Sequence, residues 1–202
     1  MSVTHIFFDV GGVLGTNGWD GEQRAAAARQ FGLDAAEFAE RHEEAVSTWE
    51  TGGMTIAEYL QCAVFHRPRA FSVEDFKAFM FAQSAAFPQS IDVARALAQT
   101  GQYRLMTLNN ESAELNAYRL RHFGLTELFV AFFSSCWMGA LKPARRIYER
   151  ALAMAQAEPS RSIFIDDRAR NLDVPRMLGV QTILYRGAPQ LREDLAALGV
   201  TL

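Results

Sequence analysis

The chain has two cysteines and four histidines in 202 residues, and each scarcity excludes a class of function. Cys62 and Cys136 form neither a metal-ligand spacing nor a disulfide framework, so buried free thiols are expected. His5, His42, His66 and His122 are scattered, without the spacing of a zinc site. Apolar residues make up 50% of the chain, yet no run approaches the roughly 18 residues needed to span a bilayer. No basic segment precedes the first apolar run, which argues against a signal peptide and makes the cytoplasm the expected location. The net charge of −3 comes from interleaved acidic and basic residues, which leaves no footprint for nucleic acid or an anionic membrane. Lysine is also rare, with Lys77 and Lys142 the only two; at any given place it is not casual filler.

What is present is a set of short apolar bursts. "HIFFDV" reads as a buried strand, because a run rich in Ile, Phe and Val ends at a Gly-Gly turn. "YRLMTL" (103–108), "SIFIDD" (162–167) and "QTILY" (181–185) have the same character, and "ELFVAFFSS" adds a further short strand. The helical stretches "SIDVARALAQTG", "ARRIYERALAMAQ" and "LDVPRMLGV" precede the later strands. Alternating strands and helices predict an α/β fold, a Rossmann-like parallel sheet sandwiched by helices. Between residues 16 and 84 the strand signals vanish. Asp34 with Glu37, Thr55 with Glu58 and Ser72 with Asp75 resemble capping boxes, and Gly52 and Gly53 separate two of the helices. This predicts a four-helix cap (16–84) inserted into a core of residues 1–15 and 85–202.

Ligands of open parallel sheets bind beyond the carboxyl ends of the strands. Asp9, Thr107, Asp166 and Asp167 fall at such ends, and Lys142 lies in the loop opening a helix. Each alone has an ordinary explanation: an aspartate at a strand end caps helices or forms turns, and Thr107 can bond its own backbone. Their joint order and spacing carry more weight than any member.

The pieces "FFDVGGVL", "LMTLNN", "LKP" and "FIDDRARNL", in that order and with a helical cap after the first, resemble the haloacid dehalogenase superfamily of aspartate-nucleophile hydrolases over nearly the whole chain. The resemblance implies a Mg²⁺-dependent phosphatase acting through an aspartyl-phosphate on a small phosphorylated metabolite. It casts Asp9 as nucleophile, and Asp9, Asp167 and the carbonyl of Gly11 as metal ligands of the hard-oxygen type that magnesium prefers. Thr107 and Lys142 would stabilise the transferring phosphoryl group, with Leu108 and Asn109 beside them at the substrate. Asp166 would orient Lys142, and Asn171 would steady the metal loop. A monomer or weak homodimer is expected.

Two departures qualify the resemblance. Most phosphatase members carry an aspartate at position 11 that acts as general acid and base, worth about 10²- to 10⁴-fold, and glycine does neither. Substrates with good leaving groups, such as a sugar 1-phosphate, suffer least from that loss; a subgroup with glycine here is similar to bacterial sugar-1-phosphate phosphatases and to proteins like the N-terminal domain of epoxide hydrolases. In "TLNN", Leu108 intervenes between the threonine and the asparagines, so Asn109 or Asn110 takes the substrate contact. Two rival readings remain: 2-haloacid dehalogenase activity, against which the Asp166–Asp167 pair argues, and a catalytically silent phosphate- or partner-binding protein. In the cap, Trp19, Trp49, Phe65 and His66 either line the site or, as favoured, mostly build the cap core.

Overall fold

The computed structural model describes residues 2–202; Met1, the first residue of the expected core segment, lies outside them. Five strands, β1 (His5–Phe8), β2 (Arg104–Asn109), β3 (Ala131–Ser134), β4 (Ser162–Asp166) and β5 (Gln181–Leu184), form one sheet in the order β3-β2-β1-β4-β5. Every pairing is parallel. The order reverses at β1, so the chain leaves β1 and β4 at the crevice where an open sheet offers its ligand site.

The strands are buried on both faces, which is why they read as continuous apolar runs rather than as alternations. On one face Ile6, Phe8, Leu105, Ile163, Ile165 and Ile183 pack against α5 (Pro88–Thr100), α6 (Ala113–His122) and α10 (Ala188–Ala197). On the other, Phe7, Met106, Leu108, Phe133 and Phe164 pack against α8 (Arg145–Ala155) and α9 (Asp173–Met177). Pro175 is the third residue of α9, within its first turn, where its missing N–H costs nothing. The remaining short helix, α7 (Ser135–Met138), follows β3 directly.

Four helices lie between β1 and α5: α1 (Gly21–Phe31), α2 (Ala35–Glu50), α3 (Ile56–Ala63) and α4 (Val73–Ala82). They surround a separate apolar cluster that includes Trp19, Phe38, Trp49, Tyr59, Leu60, Phe76 and Met80, joined by Leu115 of α6. Thr55 and Ser72 open α3 and α4 with reciprocal capping boxes. Asp34 caps α2 by accepting from Ala36 N and Glu37 N, but the Glu37 carboxylate turns instead to His66 and Arg67. A charged partner outcompetes the backbone N–H for that side chain. The chain enters and leaves this layer side by side, because Thr16 N donates to Ala85 O at 2.8 Å and Phe87 N to Leu14 O at 2.8 Å. Among the described residues no helix is long and apolar enough to cross a membrane.

Candidate active site

Asp9 directly follows β1, and its N–H donates to Ile165 O at 2.8 Å, so the parallel ladder holds it beside β4. Its Oδ1 accepts from Val10 N at 2.8 Å and pairs with Lys142 Nζ at 2.9 Å. Lys142 Nζ also donates to Asp166 Oδ2 at 2.7 Å and lies 5.4 Å from the centroid of the Phe164 ring. Burial alone would lower the Lys142 ammonium, but Asp9 and Asp166 outweigh it and hold the group above its ordinary value. Burial pushes the Asp9 carboxyl up to about 7, with Lys142 pulling the other way and Asp166 and Asp167 adding to the rise.

Asp166 is fully buried and its oxygens are committed to the protein. Besides Lys142, Oδ1 accepts from Arg168 N at 2.9 Å, and Asn171 Nδ2 reaches both oxygens at 3.0 and 3.1 Å. Tyr148 in turn donates its hydroxyl to Asn171 O at 2.8 Å. Asp166 therefore ties Lys142 to Asn171 and to the Arg168 backbone. Asp167 differs, because its Oδ1 is buried without a hydrogen-bond partner among the described residues. Burial, then Asp166, raises its carboxyl above the ordinary value. One oxygen from each of Asp9, Asp166 and Asp167 lies within 4.8 Å of the others. An orphaned carboxylate oxygen beside a second carboxylate suits a hard divalent cation. Gly12 keeps the opening: its φ is +75°, and a Cβ there would run into the Asp167 carboxylate.

The second strand departs from expectation. β2 continues past Thr107 to Asn109, and Thr107 pairs in register with Phe8 and Phe132 inside the sheet. Its hydroxyl is buried without a hydrogen-bond partner among the described residues, and Thr107 is not among the residues lining the cavity at Asp9. Strand alternation puts it on the core face with Leu105. Leu108 lies in the opposite core. Asn109 is also buried, donating to Asn116 Oδ1 and accepting from Ser134 Oγ. Asn110 reaches the cavity. It clamps the Lys142 backbone from both sides, accepting from Lys142 N at 2.8 Å and donating to Lys142 O at 3.0 Å.

Asp9 opens into a cavity of about 470 Å³, lined also by Gly11, Asn17, Trp19, Arg24, His42 and Glu50 from the segment before α5. Of the four aromatic candidates, only Trp19 is among its lining. Trp49 is stacked on Tyr59 at 3.9 Å, Phe65 packs in the helical cluster, and His66 pairs with Glu37 at 3.0 Å. Trp19 Nε1 donates to the Tyr59 hydroxyl at 2.9 Å, which lies 2.9 Å from His42 Nδ1. Burial, aided by Arg24, lowers His42 to about 3. The imidazole is therefore neutral, and its Nδ1 shares a hydrogen bond with the Tyr59 hydroxyl. Below it, buried Glu111 pairs with Arg119 at 3.1 Å, and Arg119 also donates to Thr16 O. Sequence reasoning missed Asn17, Arg24, Glu50, Glu111 and Arg119. Nothing in local pattern distinguishes these polar and charged residues from solvated ones.

The sequence model of the haloacid dehalogenase-like hydrolase family matches residues 3–179. Bifunctional epoxide hydrolase 2 of Rattus norvegicus is 32% identical over 131 residues, 62% of this chain and 24% of the relative. Its Sus scrofa counterpart is 28% identical over 223 aligned positions, covering 100% of this chain and 40% of the relative. The chain thus spans only about a quarter to two-fifths of the length of these relatives. A HAD family enzyme from Bacteroides thetaiotaomicron has the same fold, with a TM-score of 0.79 at 19% identity over 100% of both chains. Its complex with magnesium and inorganic phosphate matches with a TM-score of 0.75 at 20% identity, over 92% of this chain and 95% of that one.

Proposed function

We propose, from the premise that this chain belongs to the haloacid dehalogenase-like hydrolase family, that it is a Mg²⁺-dependent phosphomonoesterase for a small, polar phosphorylated metabolite. The observation that carries the reading is the arrangement of Asp9, Lys142 and Asp167 beside one another, with Asp167 Oδ1 lacking a hydrogen-bond partner among the described residues. Helices α1–α4 are the cap over this site, and residues 1–15 and 85–202 the catalytic core. The relationship to a magnesium- and phosphate-binding neighbour agrees with the reading.

In this mechanism Asp9 attacks phosphorus and the P–O bond to the leaving group breaks, leaving an aspartyl-phosphate that water then hydrolyses. Asp9, Asp167 and the Gly11 carbonyl would hold Mg²⁺, which when bound neutralises the repulsion between carboxylate and phosphate. Lys142, pinned by Asp166 and by the Asn110 clamp, places a fixed positive charge beside the Asp9 carboxylate. Asn110 takes the substrate-side position first expected of Thr107. The polar groups of Asn17, Asp20, Arg24 and His42 suit a hydroxyl-bearing substrate, and a sugar 1-phosphate fits the absence of an acid at Gly11. Two free cysteines agree with a reducing compartment, the cytoplasm, and we read the protein as a monomer or weak homodimer.

The direct test is p-nitrophenyl phosphate hydrolysis by the purified protein. Turnover should require Mg²⁺, stop with EDTA and be lost in Asp9→Asn. Sugar 1-phosphates should outpace the matching 6-phosphates. EDTA-resistant halide release from a 2-haloacid, or no hydrolysis of any activated phosphate, overturns the reading.

A further inference from the structure

We propose that Glu50, the last residue of α2, is the acid and base of this site, supplying from the cap the proton transfers that Gly11 cannot perform; the inference rests on the phosphomonoesterase reading. Position 11 carries no side chain, the nearest group to where its Cβ would stand is Asn17 Oδ1 at 3.2 Å, and an asparagine amide is neither an acid nor a base at neutral pH. The proton must therefore come from another wall of the cavity that holds Asp9.

The lining narrows the choice. Asp20 caps α1 by accepting from Glu22 N, and Glu111 is taken up by Ser112 and Arg119. His42 is neutral, its value lowered to about 3 by burial and Arg24, and its Nδ1 is engaged by Tyr59, so it is too weak a base to pass protons near neutrality. Lys142 is committed to Asp9 and Asp166. Glu50 alone among the cavity carboxyls has no hydrogen bond or ion pair at its carboxyl among the described residues. Its backbone is fixed by the Ser135 hydroxyl of α7, which donates to Glu50 O at 2.6 Å.

The surroundings suit proton exchange near neutrality. Burial, followed by Glu111 from the loop after β2, raises Glu50 to about 7. Arg168 after β4 and Arg24 of α1 oppose the rise, and Glu43 of α2 itself adds to it. Tyr59 of α3 also feels the Glu50 charge. The C-terminal end of α2 further disfavours a carboxylate there.

The step balances. As Asp9 bonds to phosphorus and the P–O bond to the alcohol breaks, the leaving oxygen takes the Glu50 proton. The resulting Glu50 carboxylate then accepts a proton from the water that attacks the aspartyl-phosphate, so that phosphate departs, Asp9 is freed and Glu50 is protonated again.

The test is Glu50→Gln, assayed with Mg²⁺ on p-nitrophenyl phosphate and on a primary-alcohol phosphate, a sugar 6-phosphate. For the poor leaving group kcat/KM should fall about 10²- to 10⁴-fold, and for nitrophenyl phosphate at least about tenfold less than that. In the wild type, kcat/KM for the alcohol phosphate should decline above pH about 7, and Glu50→Gln should lose this limb. Gly11→Asp in the Glu50→Gln background should restore turnover of the alcohol phosphate. Glu50→Asp, which keeps a carboxyl, should keep the limb at reduced rate and serves if the glutamine variant does not fold. Parallel losses on both substrates with the limb intact would make Glu50 merely structural and overturn the inference. If the wild type shows no Mg²⁺-dependent hydrolysis, the phosphomonoesterase reading itself has failed.

Discussion

Single residues in this protein are defined by which of their neighbours are already taken. Asp166 and Asp167 are adjacent in sequence, yet one is saturated by Lys142, Arg168 N and Asn171, while the other keeps a buried oxygen free. A cation that binds through Asp167 stabilises the folded state by mass action. Mg²⁺ should therefore raise the melting temperature of the wild type and raise that of Asp167→Asn much less; equal shifts would remove Asp167 from the ligand set. His42 makes a different prediction. It is neutral when folded, with its value lowered to about 3 by burial and Arg24, and near 6.5 when unfolded. The unfolded chain thus binds the extra proton between those values, so stability is full above about 6.5 and is lost as pH falls toward about 3. In urea titrations across that window, His42→Gln should flatten the slope by up to about 1.4 kcal/mol per pH unit.

At the scale of elements, the helix starts are local and the contacts between helices are not. Thr55 and Glu58 satisfy each other's backbone N–H groups at the start of α3, so the box depends on four consecutive residues. Thr55→Ala should cost about 1 kcal/mol of stability, read as a lower urea midpoint with unchanged slope. Where α2 ends the constraint comes from far along the chain. Gly52, at φ +80°, lies so close to the Cys136 carbonyl of α7 that any Cβ would collide with it. That approach seats the end of α2, and with it Glu50, against α7, which follows β3 directly.

At the scale of the whole molecule, a buried ion pair beside α6 is tied to the segment that leads into α1–α4. Arg119 of α6 pairs with Glu111 and donates to Thr16 O, where the chain leaves the sheet for α1–α4. Side chains of both partners are nearly inaccessible, 2% and 6% exposed. Removing one partner strands the other charge in a low dielectric, so Arg119→Met should cost roughly 3–5 kcal/mol. Adding Glu111→Gln should recover much of that loss; no recovery in thermal or urea unfolding would mean that the Thr16 contact, not the pair, carries the stability.

The amino-acid sequence determined the elements and the order of the chemistry. The apolar bursts that became β1, β2, β4 and β5, the caps at Thr55 and Ser72, and the succession Asp9, Lys142, Asp166, Asp167 were all legible, because periodicity, capping and turn residues act over a few positions. Tertiary structure decided what each polar side chain faces. It turned Thr107 into the core and Asn110 into the cavity, left Asp167 Oδ1 without a hydrogen-bond partner among the described residues, and brought Glu50 at the end of α2 to the cavity that holds Asp9. Burial and charge partners are sums over residues distant in sequence. A carboxylate's proton affinity and an asparagine's partner are therefore properties of the packed molecule.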